Sequence, residues 1–160
     1  MKHPYYLLIL PLLTLAIVAC EPKAESTPLL QGSTTVFRTT AAGVRDTLQY
    51  TDTLCIGDTV RMSILLEGYL NTLTSFMAKA DTSVLAVAVE VLPEQMQLLT
   101  TGTDLEKAIL KFVPEQVMVF TAKLRYIPRS AGTHRIDMTL ASNASEQYSP
   151  RYYYVDIRVK

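Results

Sequence analysis

The chain reads as an all-β protein, a single sandwich of about seven strands, and three observations predict it. Short runs rich in Thr, Val, Tyr and Ile recur along most of the 160 residues, broken by Gly, Pro, Asn and Asp. In the last third, apolar and polar residues alternate with period two, the mark of a strand with one buried face. Turn signals recur between these runs across residues 34–160, as in a sandwich of short strands.

The first twenty residues stand apart from that pattern. Lys2 gives a positive start, Tyr5 to Val18 form an apolar run with Pro11 inside it, and small Ala19 precedes Cys20. Charged, apolar and cleavage regions follow in the order of a secretory signal, so residues 1–19 read as a signal peptide. The run is shorter than the roughly 20 apolar residues that span a bilayer. No basic cluster follows it; the flank is Glu21-Pro22-Lys23-Ala24-Glu25. Residues 20–33, with Pro22, Pro28, Gly32 and several polar side chains, read as a flexible tether. Its 13 residues from Glu21 would reach about 40 Å when extended. Residues 34–160 then form the folded domain.

Within the domain, Thr34–Thr40 and Thr47–Leu54 read as strand-like edges. Val60, Met62, Ile64 and Leu66 alternate with Arg61, Ser63 and Leu65 after the turn Gly57-Asp58. Leu73–Ala80 and Val84–Leu92 read as strands, the second apolar at most positions, as in a central strand. Thr103-Asp104-Leu105-Glu106 matches a capping box, which favours a short helix near 103–112 ended by Pro114. The competing reading is a strand through Ala108 to Val113. The last three strands are the clearest. Phe120, Ala122, Leu124 and Tyr126 alternate with Thr121, Lys123 and Arg125. Ile136, Met138 and Leu140 alternate with Arg135, Asp137 and Thr139, and Tyr153, Val155, Ile157 and Val159 with Tyr154, Asp156, Arg158 and Lys160. Leu124, Ile136, Met138, Val155 and Ile157 should therefore be buried, with Lys123, Arg135, Asp137 and Arg158 outside.

Residues 20–160 hold all 15 acidic residues and 14 of the 15 Lys and Arg, a net charge near −1. That balance excludes the strongly basic surface that nucleic acid demands, and argues against electrostatic membrane binding. A domain of this size buries a core without disulfides. Cys20 and Cys55 are the two cysteines. Flanked by Leu54 and Ile56, Cys55 reads as a small buried hydrophobe.

Two stretches resemble known families. Ile17-Val18-Ala19-Cys20 resembles the lipobox of bacterial lipoproteins. The resemblance implies cleavage before Cys20, lipid attachment at Cys20 and an address in the cell envelope. Glu21, where aspartate would signal inner-membrane retention, implies the outer membrane. Ser130-Ala131-Gly132-Thr133-His134-Arg135-Ile136-Asp137-Met138 resembles the turn and strand F of immunoglobulin-like domains. Gly132 matches the turn, His134 stands where the corner tyrosine would be, and Ile136 where the family cysteine would be. The strand ending at Tyr126 would be E, and Tyr153–Val159 would be G. With no cysteine pair and no Trp, the chain differs from antibody-type domains. It is more similar to the immunoglobulin-like modules of Gram-negative envelope lipoproteins.

Candidate chemistry is sparse. His134 is the single histidine after His3, too few for a multi-histidine metal site, and no nucleophile-elbow motif accompanies it. Asp46-Thr47, Asp52-Thr53 and Asp58-Thr59 repeat every six residues. They lack a calcium-loop pattern and read as recurrent turn-and-strand openings. Each is followed by an aliphatic residue, which resembles an envelope O-glycosylation sequon with Thr47, Thr53 and Thr59 as acceptors. Asn143-Ala144-Ser145 matches the N-linked sequon, idle in a bacterial lipoprotein. Glu90, Glu94, Glu106 and Glu115 supply carboxylates, but no spacing brings two together.

The remaining candidate is Tyr148–Tyr154, where tyrosines and an arginine meet at a loop-to-strand junction. If the last three strands form one sheet, its outer face carries Lys123, Arg125, Arg135, Arg158 and Lys160 against Asp137 and Asp156, with Tyr152 and Tyr154 beside it. Arg125, Arg158, Tyr152 and Tyr154 are the candidate binding residues for a protein or glycan partner. The expectation is a lipid-anchored, non-catalytic binding or structural module without metal or cofactor. The competing reading is an envelope hydrolase built on carboxylates.

Overall fold

The computed structural model describes residues 26–40, 42–48 and 52–160. Cys20 and the signal segment lie outside them. The described residues form nine strands: β1 (Leu29–Thr39), β2 (Arg45–Leu48), β3 (Thr59–Glu67), β4 (Leu73–Lys79), β5 (Leu85–Glu90), β6 (Ile109–Lys111), β7 (Val119–Pro128), β8 (Gly132–Ser142) and β9 (Arg151–Val159). The neighbouring strands within each sheet pair antiparallel. One sheet has the order β2-β1-β3-β7-β5, the other β6-β4-β8-β9.

Seven of these strands repeat a known plan. β1-β3-β7-β5 is the order A-B-E-D, and β4-β8-β9 the order C-F-G, of immunoglobulin-like sandwiches. Short β2 and β6 are additions, which brings the expected seven strands to nine. The strands read as E, F and G are β7, β8 and β9. They do not share a sheet, because in this plan E belongs with A, B and D. The expected single basic face is therefore split in two.

The core lies between the sheets. Val60, Ile64 and Leu66 of β3 and Phe120, Leu124 and Tyr126 of β7 face Phe76 of β4, Ile136, Met138 and Leu140 of β8, and Ile157 and Val159 of β9. The rings of Phe112 and Phe120 meet edge to face, centroids 5.1 Å apart. Alternation sets the inward residues as expected: Leu124, Ile136, Met138 and Ile157 are buried and Val155 half-buried, while Lys123, Arg135, Asp137 and Arg158 are exposed.

Three local expectations need correction. No helix forms near 103–112. Asp104 and Ile109 exchange backbone hydrogen bonds of 2.8 Å each way, closing a hairpin tip. The Asp104 carboxylate accepts the Lys107 N–H at 3.1 Å, so Asp104 rather than Thr103 caps the turn. Ala108 takes a left-handed conformation, φ 52°, which ends the turn instead of extending it. Leu110 and Phe112 then point inward and Lys111 outward, a period of two. The one helical turn among the described residues is the 3-10 segment Pro93–Leu98.

Second, β5 is an edge strand rather than a central one. Its apolar outer positions are Ala86 and Ala88, and its rim is covered by the hairpin: the Val89 N–H donates to the Leu105 carbonyl at 2.8 Å. Third, ordered structure begins inside the segment read as tether. β1 starts at Leu29. The Tyr153 hydroxyl donates to the Pro28 carbonyl at 2.8 Å and accepts the Leu30 N–H at 3.3 Å. The Asn71 side-chain amide donates to Ser26 Oγ at 2.6 Å. Pairing of β1 with β3 and the bonds of a half-buried tyrosine thus outweigh the proline and glycine content of residues 26–33.

Candidate functional site

Each candidate follows from strand position. Tyr152, Tyr154, Asp156 and Arg158 occupy alternate positions on β9 and point away from the core. Tyr152 is 76% exposed and Tyr154 63%. On β8, Arg135 lies opposite Asp156. Its Nε donates to Asp156 Oδ1 at 2.8 Å and a terminal nitrogen to Oδ2 at 3.2 Å. The same guanidinium lies over the Tyr154 ring, 4.3 Å from its centroid. This hydrogen-bonded pairing lowers the Asp156 pKa below the ordinary carboxylate value and raises that of Arg135. Tyr154 is thereby held flat and exposed, and Tyr152 stands beside it.

β9 is also the edge of its sheet. The Leu54 N–H donates to the Arg158 carbonyl and the Lys160 N–H to the Leu54 carbonyl, both at 2.9 Å. The backbone groups of even-numbered residues therefore point away from β8. Leu54 pairs with that rim at its C-terminal end. The N–H and C=O groups of Tyr152, Tyr154 and Asp156 face outward beyond it. The other sheet ends are shorter or covered: β2 has four residues, β6 three, and β5 lies under the hairpin.

Arg125 does not join this surface. It projects from the outer face of the other sheet. Its Nε donates to Glu90 at 3.2 Å and a terminal nitrogen meets Glu106 at 3.4 Å. Glu90 also accepts both bonds from Arg61 Nε, at 3.0 and 3.1 Å. The expected quartet thus divides into Arg158, Tyr152 and Tyr154 on one sheet and Arg125 on the other. The glutamates are not brought together in one groove: Glu90 and Glu106 line two different ones. Glu90 and Glu106 share Arg125, Glu94 sits on the 3-10 turn, and Glu115 lies in the turn after β6.

Two aspartates of the Asp-Thr repeat make structural contacts. Asp58 is 4% exposed and accepts the Cys55 N–H at 2.9 Å. Arg38 donates to Asp46 at 2.9 Å and approaches Asp58 at 3.9 Å, so the first and third aspartates of the repeat meet on one guanidinium. Among the described residues no three metal-ligating side chains cluster. Cys55 is exposed, against the expectation of burial. Leu54 takes the inward position, and the turn closed by Gly57, φ 86°, turns Cys55 and Ile56 outward.

His134 acts as the corner residue. Its Nε2–H donates to the Ser130 carbonyl at 2.8 Å, the bond back to upstream backbone that a corner tyrosine makes. Asn143 bonds Thr72 through both backbone and side chain, at 2.9 Å each.

Sequence reasoning missed one feature, a groove of about 590 Å³ on the outer face of the β1-β3-β7-β5 sheet. Its floor is Ser63, Leu65, Thr121 and Lys123, and Val91, Leu92 and Gln95 form a wall. Gln95 Nε2 donates to Thr121 Oγ1 at 3.2 Å and pins the 3-10 turn onto the sheet. The Pro93 helix-start signal was the one clue to that wall.

These features define an all-β sandwich with immunoglobulin-like strand order and an aromatic, open-edged last strand. No protein-family model and no curated protein matches the chain.

Proposed function

We propose that the chain is a lipid-anchored cell-envelope module, held in the outer membrane through Cys20, that binds a protein partner by strand addition along β9 and performs no catalysis. The lipobox-like Ile17-Val18-Ala19-Cys20 supports the anchor. Five residues separate Cys20 from Ser26, which the Asn71 amide holds to the domain; their span is about 20 Å when extended, enough to set the domain beyond the lipid headgroups.

The observation that carries the binding reading is the β9 rim. A nine-residue strand at a sheet edge, with the backbone groups of Tyr152, Tyr154 and Asp156 turned outward, is a template for another strand. Backbone hydrogen bonds would supply affinity there. Tyr152 and Tyr154 would supply rigid contact area, and Arg158 a directed cation.

The test uses Tyr152→Ala combined with Tyr154→Pro. The Tyr154 N–H faces the open rim, so proline removes a donor to a partner without removing one to β8. Wild-type protein should retain an envelope partner that the folded double variant loses, and that partner should slow amide exchange at Tyr152, Tyr154 and Asp156. Identical partner sets would overturn the reading. Cys20→Ser should release the protein from membranes, and an intact mass of wild type without acyl chains would remove the anchor.

A further inference from the structure

The groove on the opposite sheet has a charge pattern that selects a ligand. Arg61, Arg125 and Lys123 rise from this face beside the groove. Glu90 takes both arginines. Lys123 lines the groove directly opposite Glu90, its register partner across β7 and β5, yet among the described residues no carboxylate lies within ion-pair distance of it. The groove therefore offers one ammonium outside any ion pair, beside a Glu90 carboxylate that two arginines already neutralise. Around it stand neutral Gln31, Ser63, Gln95 and Thr121 and apolar Leu65, Val91 and Leu92. The volume of about 590 Å³ suits a molecule of a few residues.

We propose that this groove binds a short peptide through a free carboxylate. The carboxylate would sit on Lys123, an aliphatic side chain against Leu65, Val91 and Leu92, and backbone amides between the Gln31 and Gln95 side chains. Among the described residues no aromatic ring lines the groove, so these residues offer a sugar ring no face to stack on. A fully apolar ligand would leave the Lys123 ammonium and the polar floor without partners. Gln95 adds a second argument for amide donors. Its Nε2 is committed to Thr121, while its Oε1 is shut off from solvent and accepts no bond. A small outward shift of the 3-10 wall would present that oxygen to a ligand N–H.

Three probes of similar size test this by nuclear magnetic resonance: N-acetyl-Ala-Ala-Leu as the free acid, the same peptide as its C-terminal amide, and a uronic-acid disaccharide. The free acid should bind with Kd below about 1 mM and shift the amide signals of Ser63, Thr121 and Lys123. The amide should bind at least about tenfold more weakly. Lys123→Met, at an exposed position, should leave the fold intact and abolish the difference between acid and amide. Lys79→Met, on the other sheet, should change nothing. Equal binding of acid and amide, preference for the disaccharide, shifts confined to β9, an unchanged preference in Lys123→Met, or no binding at millimolar peptide would each overturn the proposal. The β9 reading stands or falls separately, since its variants lie on the other sheet.

Discussion

At the scale of single residues, neighbours in sequence were a poor guide to burial wherever the chain turns. Cys55 sits between two aliphatic residues, yet Asp58 captures its N–H and the turn swings its side chain outward. The native thiol should react with a maleimide at close to the rate of the unfolded chain, and Cys55→Ala should change stability by under about 0.5 kcal/mol. Labelling that waits for unfolding would contradict the exposed position. Tyr126 is the opposite case. It is buried between the sheets, and loss of hydration raises its pKa from 10 to about 12. A phenol whose folded pKa lies above its unfolded value contributes stability that is fully present below about pH 10 and is lost as pH rises toward 12. Two pH units correspond to about 3 kcal/mol. Denaturation midpoints of wild type should fall between pH 10 and 12 more steeply than those of Tyr126→Phe; parallel curves would show that burial does not hold the phenol neutral.

At the scale of elements, strands with one wet face were legible and the connections were not. Alternation located β7, β8 and β9 because each buries one face only. The segment 98–113 defeated the same reasoning. Its capping-box residues serve other ends: Thr103 Oγ1 accepts the Lys111 N–H at 3.0 Å, and Glu106 reaches Arg125. A helix there would have lost the burial of Leu110 and Phe112 against β4 and β7, and packing outweighs a two-turn propensity. The following turn keeps a local cost. Glu115 follows Pro114 and holds φ at 60°, the third position of a turn that favours glycine. Glu115→Gly should raise stability by about 0.5–1 kcal/mol, since the relief of a left-handed side chain exceeds the added chain entropy. A lower melting temperature would mean that the Glu115 side chain does more than fill the turn.

At the scale of the whole molecule, the two sheets divide the labour. Their facing sides make one core, and their outer sides carry different surfaces: an aromatic, open-edged strand on one and a groove with an unpaired lysine on the other. Adjacent residues of β7 make the distinction measurable. Leu124 is fully buried and Lys123 exposed. Leu124→Asp should prevent folding, because a carboxylate in that core has no partner, whereas Lys123→Glu should change stability by under about 0.5 kcal/mol. Circular dichroism of both variants checks this. Comparable losses would mean that the register of β7 is shifted by one residue.

The sequence by itself determined the all-β class, the alternating faces of the last three strands and the exposure of Tyr152 and Tyr154. These depend on local periodicity and turn chemistry, which a chain carries in its own order. The tertiary structure alone decided that β7 lies in a different sheet from β8 and β9, which separates Arg125 from Arg158 and the tyrosines. It also decided that β5 is an edge, that Asp46 and Asp58 meet on Arg38, and that the 3-10 turn walls a groove beside Lys123. Those facts depend on which strands pair. Pairing is set by burial summed over residues far apart in the chain, and no window of sequence contains that sum.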